Sequence, residues 1–382
     1  MQKSNLKVMT FVGTRPEIIR LSRTMTLLDK YVNHITVHTG QNYDYELNEI
    51  FYQELGIRKP DYYLAADRNS LGKAVGDIIS KSEEVLKKEK PDSVLVLGDT
   101  NSCLATYMAK RMHIPIYHME AGNRCFDFNV PEEINRRIVD HIADFNLVYT
   151  ENSRRHLLAE GLPHRRIYVT GSPMFEVLNH YKDKINSSNI LEELKLEAKK
   201  YFIVSIHREE NVDNPENLKQ IMDILNKLAE TYKLPIIIST HPRTRKRLES
   251  IHTSQITHNS LLKFLKPFGF HDYNHLQMNA KCALSDSGTI SEESAILNFP
   301  AITVRNSMER PEAMDAGTII LTGLNPETVI DSVKLVIDEF EKNGKYNNIC
   351  SEYLIENTAW RVLKIIIGTS KLSNGWQGIN NK

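Results

Sequence analysis

The chain has 382 residues, with 48 Lys and Arg against 48 Asp and Glu, so its formal net charge is zero. At about 100–200 residues per domain this length predicts two domains, and 41% hydrophobic with 25% charged residues is typical of a globular protein. The balanced charge argues against proteins that hold nucleic acid or an anionic membrane by a strongly basic surface.

The N-terminal sequence shows no secretory signal, since a strand-like apolar run begins almost immediately and no cleavage site follows it. No stretch reaches the roughly 18 apolar residues that a membrane-spanning helix needs. The four cysteines lie far apart in the sequence without a CxxC pair (Cys103, Cys125, Cys282, Cys350). This spacing favours reduced thiols in a reducing compartment, so we expect a cytoplasmic protein.

Short β-branched runs alternate with helical patterns through the first half of the chain. Strands are predicted at 7–12, 35–39, 93–97, 114–118, 146–149 and 167–170. Helices are predicted at 18–30, 71–88, 102–111 and 131–142, where apolar residues recur at three-to-four spacing. This alternation predicts a parallel sheet covered by helices, in an N-terminal Rossmann-like domain that spans residues 1–172.

The same alternation restarts after a polar, lysine-rich stretch at 179–200. Strands are predicted at 201–206, 234–240, 281–284 and 300–304, and helices at 215–231, 272–280, 289–297 and 325–342. The predicted fold class is α/β, with two Rossmann-like domains that face a central cleft, the second spanning 173–357. Ligands of such sheets bind outside the carboxyl ends of the strands. The tail from residue 370 is expected to be frayed.

Charged residues follow the predicted strands of the first half. Arg15 lies in the segment GTRPE after the first strand, where a helix N-terminus could bind an anion. This segment is neither a GxGxxG fingerprint nor a Walker loop, and an ordinary strand–helix turn is the alternative. Asp99 and Glu120 follow two later strands, although Asp99 could instead cap a helix.

A further acidic cluster opens the helix predicted at 131–142. Glu132 with Arg136, and Glu133 with Arg137, have the spacing of ion pairs on a helix surface, which is the simplest interpretation. Asp99, Glu120 and Glu132 nevertheless come from successive elements whose ends should converge. Several carboxylates in one place allow one to abstract a proton while another donates one.

The second half offers residues suited to a phosphate group. His207 follows a predicted strand, and the segment His241–Pro242–Arg243 follows the next. The segment DSGTISEE at 286–293 could offer backbone N–H groups from Ser287, Gly288 and Thr289 to a pyrophosphate, with Glu293 reaching ribose hydroxyls. The alternative is a well-started helix, because Thr289 and Glu292 have the spacing of a capping box. His271 and His275 have no third ligand nearby, so no metal site is predicted.

These segments, in this order, resemble the non-hydrolysing UDP-N-acetylglucosamine 2-epimerase family. The matching segments are GTRPE (13–17), GDT (98–100), HMEAG (118–122), PEEINR (131–136), GSP (171–173), HRE (207–209), DSGTISEE (286–293) and ERPEA (309–313). They span about four-fifths of the chain. The resemblance implies two domains of the GT-B type, a homodimer, and a C-terminal helix at about 358–382 that packs back on the first domain.

The resemblance also implies a reaction, which is C2 epimerisation of a UDP-linked 2-acetamido sugar. UDP leaves C1 as the C2 proton is removed, giving a glycal, and then adds back; no cofactor or metal is required. Asp99, Glu120, Glu132 and His207 match the family's catalytic residues. The residues that match its substrate-binding positions are Arg15, Arg136, His207, Ser287, Gly288, Thr289 and Glu293.

Three segments differ from those of the simple epimerases. This chain has Gly288–Thr289 where they have Gly-Gly, and it has residues 123–127 after EAG where they have Leu-Arg. It has residues 41–44 where they have Gln-His. The last change puts an allosteric UDP-sugar site in doubt. The segments NRCFD (123–127) and PEEINRRIVDHIAD (131–144), combined with DSGTISEE (286–293), resemble the branch that converts UDP-2-acetamido-2,6-dideoxy-L-talose to UDP-N-acetyl-L-fucosamine for capsule or O-antigen. Alternatives are the UDP-GlcNAc/UDP-ManNAc and UDP-2,3-diacetamido uronic acid 2-epimerases, a GT-B glycosyltransferase, or a non-catalytic nucleotide-sugar sensor.

Overall fold

The structure, a computed structural model, describes residues 3–40, 49–67, 69–240, 244–245, 259–346 and 348–379. The chain divides into two compact units. The first unit comprises Met1–Arg124, Val130–His180 and Ser351–Lys382, and the second comprises Cys125–Asn129 and Tyr181–Cys350. The sequence analysis placed the corresponding boundaries after residues 172 and 357.

The first unit is built on a seven-stranded sheet in which every pair of neighbouring strands is parallel. The strand order is β3-β2-β1-β4-β5-β6-β7. The strands are β1 Lys7–Val12, β2 Asn33–His38, β3 Tyr62–Tyr63, β4 Ser93–Leu97, β5 Ile116–Ala121, β6 Phe145–Val148 and β7 Ile167–Val169. All residues of β4, β5 and β6 are buried, as expected for strands covered by helices on both faces.

Helices and short 3₁₀ turns connect these strands. The helices are α1 Arg15–Tyr31, α2 Glu49–Glu54, α3 Leu71–Glu89, α4 Thr106–Arg111, α5 Pro131–Ile142, α6 Glu151–Ala159 and α7 Met174–His180. The 3₁₀ turns in this stretch are Asn101–Ala105 and His164–Arg166. The helix predicted at 102–111 is therefore a 3₁₀ turn followed by α4.

The second unit has a five-stranded parallel sheet with the order β10-β9-β8-β11-β12. Its strands are β8 Phe202–Ser205, β9 Ile236–Ser239, β10 Leu262–Leu265, β11 Cys282–Ser285 and β12 Ala301–Thr303. Its helices are α8 Lys182–Asn186, α9 Ile190–Glu193, α10 Glu209–Val212, α11 Pro215–Tyr232, α12 Phe270–Asn279, α13 Ile290–Leu297, α14 Pro311–Asp315 and α15 Pro326–Asn343. Two Rossmann-like parallel sheets confirm the predicted α/β fold class.

The C-terminal segment belongs to the first unit. It contains a 3₁₀ turn, Ser351–Leu354, followed by α16 Thr358–Thr369 and α17 Ser373–Trp376. The Tyr31 and Trp360 rings lie 5.2 Å apart where α16 meets α1. The expectation of a frayed tail from residue 370 is wrong for the residues up to 379, because Trp376 packs edge-on against the buried Phe145 ring. Among the described residues, no helix is long and apolar enough to cross a membrane.

Gly122 follows β5 at a point where the chain cannot accept a side chain. Its φ is +79°, and a β-carbon there would lie 2.3 Å from the Ser153 carbonyl oxygen in α6. We expect Gly122→Ala to lower the free energy of unfolding by at least about 3 kcal/mol, because backbone strain and overpacking add. Gly161→Ala is the matched control, since φ is +85° there but no atom lies within 4 Å of the added carbon.

The control should cost about 1 kcal/mol, which is the strain of the left-handed backbone without the steric clash. Urea denaturation of both variants measures the difference. Equal losses of stability in the two variants would contradict the close packing of Gly122 on α6.

Candidate functional site

In the first unit, Asp99 lies at the carboxyl end of the sheet. It follows β4 after Gly98, and its side chain is 21% exposed. Its Oδ2 atom accepts hydrogen bonds from Arg136 Nε at 3.0 Å and Arg136 Nη2 at 2.5 Å. Arg136 also donates to Glu133 Oε2 at 2.6 Å. The helix α5 thus brings a buried guanidinium to Asp99, and the two groups form a charge-assisted, two-point contact.

Glu120 does not follow a strand, as the sequence analysis expected, but lies within one. The predicted strand ended at residue 118, whereas β5 continues to Ala121. The pairing of β5 with β6 shifts between Met119 and Ala121, and Glu120 has a φ of +66°. Such a bulge re-aims a side chain without ending the strand. The prediction failed because a charged residue followed by Ala-Gly resembles the end of a strand.

The Glu120 side chain is 6% exposed and held by two residues. Arg20 Nη1 of α1 pairs with Oε2, and Asn123 Nδ2 lies 3.4 Å from Oε1. The sequence analysis missed Arg20, which is 7% exposed among the apolar residues of α1. A charged residue on the buried face of a helix was the signal, because such a charge needs a partner.

Arg15 and Glu132 occupy the first turns of two helices. Arg15 is the first residue of α1, with its guanidinium 5.5 Å from the centre of the Phe51 ring. Glu132 is the second residue of α5 and is half-buried. Their convergence with Asp99 and Glu120 on one substrate stays a prediction.

A buried carboxyl group that the sequence analysis passed over joins two of the loops at this edge. Glu17 Oε2 accepts hydrogen bonds from the backbone N–H groups of Gly13, at 2.5 Å, and Thr14, at 3.0 Å. Its Oε1 accepts one from the Thr100 hydroxyl, next to Asp99. Burial raises the pKa of Glu17 to about 7, against the opposing effect of these hydrogen bonds. Glu17 therefore ties the turn before α1 to the turn after β4.

The wild type should lose stability as the pH rises through about 7, because Glu17 then ionises in a buried position. Glu17→Gln is expected to abolish this loss. Since the pKa of Glu17 is higher in the folded chain than its usual 4.5, its contribution is full below pH 4.5 and is lost as the pH rises through about 7. The glutamine oxygen can accept from Gly13 and Thr14, while its NH₂ group donates to the Thr100 hydroxyl. Between pH 5 and 8 the variant should gain about 2.5 kcal/mol relative to the wild type.

Urea denaturation at the two pH values measures this gain. A difference between variant and wild type that stays the same at pH 5 and pH 8 would contradict it.

Charged side chains continue from Asp99 into the interior of the first unit as a chain of ion pairs, here called the charged ring. In order, its members are Asp99, Arg136, Glu133, Arg137, Glu160, Arg124, Asp140 and His118. His118 closes the ring, because its Nε2 lies 2.8 Å from the carbonyl oxygen of Gly98, beside Asp99. The Glu133–Arg137 pair agrees with the surface-pair spacing, but Glu133 is fully buried.

Arg124 is the arginine of the charged ring that joins Glu160 to Asp140, and it is 1% exposed. It binds both carboxylate oxygens of Glu160, at 2.8 and 2.7 Å, and Asp140 Oδ2 at 2.7 Å. The hydrogen bond from Arg124 lowers the pKa of Glu160 to about 2. Burial alone would raise the pKa of Asp140, but His118 and Arg124 hold it below its usual value. Both acids are therefore held ionised.

In the second unit, a buried aspartate organises the segment after β8. Asp286 Oδ1 lies 3.2 Å from His207 Nδ1, and Asp286 also accepts the backbone N–H of His207, at 3.0 Å, and of Arg208, at 2.9 Å. Asn211 Nδ2 donates to it at 3.0 Å. These contacts fix the plane of the His207 ring, which is 30% exposed. His207 was predicted from its place after a strand, whereas no role was predicted for Asp286.

The turn from Ser287 to Thr289 differs from the predicted capping box. Helix α13 begins at Ile290, and Thr289 makes no side-chain cap hydrogen bond. Its hydroxyl instead lies 2.9 Å from Ser287 Oγ, and the fully buried Glu292 pairs with Arg310 at 3.1 Å. The capping-box interpretation is therefore wrong, because Glu292 pairs with Arg310 and not with the backbone of Thr289.

Gly288 lies against charged side chains from the segment ERPEA. A β-carbon on Gly288 would lie 3.0 Å from Glu309 Oε1 and 3.4 Å from Arg310 Nη1. Arg310 donates to the Gly288 carbonyl oxygen, and Glu309 pairs with Arg305 at 2.7 Å. These residues lie around a small depression in the second unit. A side chain at 288 would therefore have to displace Glu309 or Arg310 by a few tenths of an ångström.

Glu293 is 8% exposed and accepts a hydrogen bond from Gln277 Nε2 at 3.1 Å. Its contact with a ribose stays a prediction, as do the roles of Ser287, Gly288 and Thr289. Two other segments, His241–Arg243 and 41–44, lie outside the described residues. No role was predicted for Arg208 or Arg310, whose acidic partners Glu309 and Glu292 are distant in sequence, nor for Arg305, which pairs with Glu309 four residues away.

Each unit offers a distinct chemistry. The first has carboxylates paired with guanidinium groups at the carboxyl end of its sheet, which suits proton transfer. The second has an ordered histidine and small residues at a strand end, which suits an anionic group.

A family profile described as UDP-N-acetylglucosamine 2-epimerase matches residues 27–367. The chain is 48% identical to the structure of UDP-N-acetylglucosamine 2-epimerase from Rickettsia bellii, with a TM-score of 0.89 over 97% of this chain and 98% of that one. It is 35% identical to a Methanocaldococcus jannaschii UDP-GlcNAc 2-epimerase in complex with UDP-GlcNAc and UDP, with a TM-score of 0.89 over 95% and 100%.

A third relative has a different substrate in its name. It is the UDP-2,3-diacetamido-2,3-dideoxy-D-glucuronate 2-epimerase of Pseudomonas aeruginosa, which is 32% identical over 86% of this chain and 92% of its own length.

Proposed function

The chain belongs to the UDP-N-acetylglucosamine 2-epimerase family, and we propose that its substrate is UDP-2-acetamido-2,6-dideoxy-L-talose. It is an isomerase of the non-hydrolysing type, which inverts C2 of a UDP-sugar. The proposed product is UDP-N-acetyl-L-fucosamine, for capsule or O-antigen synthesis. The resemblance of the segments 123–127, 131–144 and 286–293 to this branch supports the proposed substrate.

The observation that carries the proposed mechanism is the pairing of two carboxylates with guanidinium groups, Asp99 just after β4 with Arg136 and Glu120 within β5 with Arg20. An ionised carboxylate can remove the C2 proton of the sugar. As that proton leaves, the C1–O bond breaks and its electron pair departs with UDP, which gives the glycal. The reverse steps, with protonation on the other face of C2, give the epimer.

The remaining predicted residues serve the leaving group in this proposal. UDP leaves as an anion, and His207 and Arg15 lower the energy of the developing negative charge. Ser287, Gly288 and Thr289 offer backbone N–H groups to the diphosphate, while Glu293 binds the ribose. In this proposal Glu132 and Arg136, both on α5, assist proton transfer, and Arg136 does so through its pairing with Asp99.

A second candidate substrate is UDP-GlcNAc. It is favoured by the names of the relatives from Rickettsia bellii and Methanocaldococcus jannaschii. The Pseudomonas aeruginosa relative makes the UDP-2,3-diacetamido uronate a third. The three sugars differ at C3, C5 and C6, whereas the bond to hydrogen at C2 is common to all of them.

Incubation in D₂O tests the proposal. The protein is given each of the three UDP-sugars, and deuterium at C2 and the epimer ratio are followed by NMR. Exchange with the L-talose sugar at a rate at least tenfold above the other two is the expected result. Exchange with UDP-GlcNAc alone would refute the proposed substrate, and transfer of sugar to an acceptor without C2 exchange would refute the epimerase mechanism.

We also propose that the protein is a cytoplasmic homodimer. Exposed apolar side chains on the adjacent helices α4 and α5 support this, namely Tyr107 at 44%, Ile134 at 49% and Ile138 at 42% exposure. The double variant Ile134→Glu/Ile138→Glu is expected to halve the mass found by light scattering, with unchanged circular dichroism. A wild type with the mass of one chain would refute the dimer.

A further inference from the structure

A buried amide lies beside Glu120. Asn123 is 2% exposed, and its Nδ2 atom lies 3.4 Å from Glu120 Oε1. Its Oδ1 accepts a hydrogen bond of 2.9 Å from the hydroxyl of Ser153, a residue of α6 that is 3% exposed. The amide therefore connects α6 to the carboxylate at the bulge of β5.

The contacts with Glu120 and Ser153 together set the orientation of the amide. With Ser153 donating to Oδ1, the NH₂ group points toward the Glu120 carboxylate, which can only accept hydrogen bonds when ionised. The opposite orientation would set the amide oxygen against carboxylate oxygen, which is repulsive. Thr150 Oγ1 lies 3.4 Å from Ser153 Oγ and supports the hydroxyl from its other side.

The backbone of this turn is held without the Asn123 side chain. Gly122 N–H donates to Asp140 Oδ2 at 3.1 Å, and the Gly122 carbonyl oxygen lies 2.9 Å from His156 Nδ1. The Asn123 carbonyl oxygen accepts from Arg124 Nη1 at 2.7 Å. The turn thus has its own anchors, so the buried amide is not needed to form it.

Glu120 needs such an amide because its conformation is unusual. Its left-handed φ and the bulge turn its side chain away from the regular positions of the strand, and Arg20, a charged residue that faces the group, pairs with its Oε2 atom. The amide of Asn123 adds a contact at Oε1. Contacts at both oxygens restrict rotation of the carboxylate about its last bond.

We propose that Asn123 is a positioning residue for Glu120 in the epimerisation, and that Ser153 acts through it by orienting the amide. This proposal rests on the proposed function, in which Glu120 transfers a proton at C2. It assigns no substrate contact to either residue. Its effect is to hold the carboxylate in the geometry for proton transfer, so it acts on turnover more than on binding.

Three variants test this role: Asn123→Leu, Ser153→Ala and Asn123→Asp. The leucine variant should lower kcat about 10- to 100-fold and the alanine variant about 3- to 10-fold, with KM changed less than threefold. Ser82→Ala is the matched control, since Ser82 is a fully buried serine in α3, and its kcat should stay within twofold of wild type. The readouts are kcat, KM and thermal melting for each.

The aspartate variant separates positioning from a structural role. It places a second carboxylate beside Glu120, and like charges raise each other's pKa, so the acid limb of the kcat–pH profile should move upward by about one pH unit. A general loss of packing would lower kcat at all pH values without moving that limb.

The outcomes are distinct. If Asn123→Leu does not fold, the milder Ser153→Ala and Asn123→Asp decide. Values of kcat within twofold of wild type in Ser153→Ala, together with an unmoved acid limb in Asn123→Asp, overturn the inference while the proposed function stands. A wild-type protein that exchanges C2 hydrogen with none of the three UDP-sugars refutes the proposed function, and the inference with it.

Discussion

Asp99→Asn is expected to reduce the rate of C2 hydrogen exchange about 10²- to 10⁴-fold, the range for loss of a general acid or base. The asparagine amide cannot remove a proton from carbon at neutral pH. Fold should persist, because Arg136 retains its 2.6 Å hydrogen bond to Glu133 and the asparagine oxygen can accept from it as Asp99 Oδ2 does. The measurement is deuterium incorporation at C2 by NMR, with circular dichroism for the fold.

UDP binding should be retained in this variant, within about threefold of wild type by calorimetry. The residues proposed to hold UDP are mainly those of the second unit, His207 and the turn from Ser287. Asp92→Asn is the control, because Asp92 accepts the Lys7 backbone N–H at 2.7 Å before β4 begins, at the opposite end of that strand from Asp99. Exchange at the wild-type rate in Asp99→Asn would remove Asp99 from the mechanism.

Arg124→Met is expected to lower the free energy of unfolding by about 3–5 kcal/mol, the largest stability effect we predict for one charge. The substitution leaves Asp140, which is fully buried, and Glu160 without the guanidinium that binds both. Removing one partner of a buried ion pair leaves an uncompensated charge, and this costs more than the pair contributes. Methionine has a similar length, so the loss reports charge more than volume.

Chemical denaturation at pH 7 measures this loss. Lys87→Met is the matched control, since Lys87 is 65% exposed and pairs with Glu83 at 2.6 Å on the surface of α3. An exposed pair contributes about 0–1 kcal/mol, so the control should be nearly neutral. Comparable losses in both variants would mean that the charged ring is no more important than a surface pair.

The fold was predictable because its pattern is local. Strand–helix alternation located ten of the twelve strands described, to within a few residues. The two it missed are β3, with two residues, and β10, whose residues are all partly exposed and lack a continuous apolar run. Neither carries enough hydrophobic periodicity to stand out in sequence.

The candidate site was only partly predictable, because its contacts are not local. Residues placed by motif, such as Asp99 and His207, lie at strand ends as expected. Their partners come from elsewhere in the chain: Arg20 is 100 positions from Glu120, and Asp286 is 79 from His207. Spacing rules for ion pairs apply only within about one helical turn. They therefore predict a pair between Arg136 and Glu132, but they cannot predict the pair between Arg136 and Asp99.

The first unit contains segments from both ends of the chain, and this affects how it folds during synthesis. All seven strands of its sheet have been translated by residue 169, but α16, which packs on α1, begins at residue 358. At 5–20 residues per second the ribosome needs about 10–40 s to make the chain between them. During that interval the apolar side of α1 that α16 covers in the finished protein stays exposed. A nascent chain arrested before residue 358 should therefore bind chaperones that the finished protein does not.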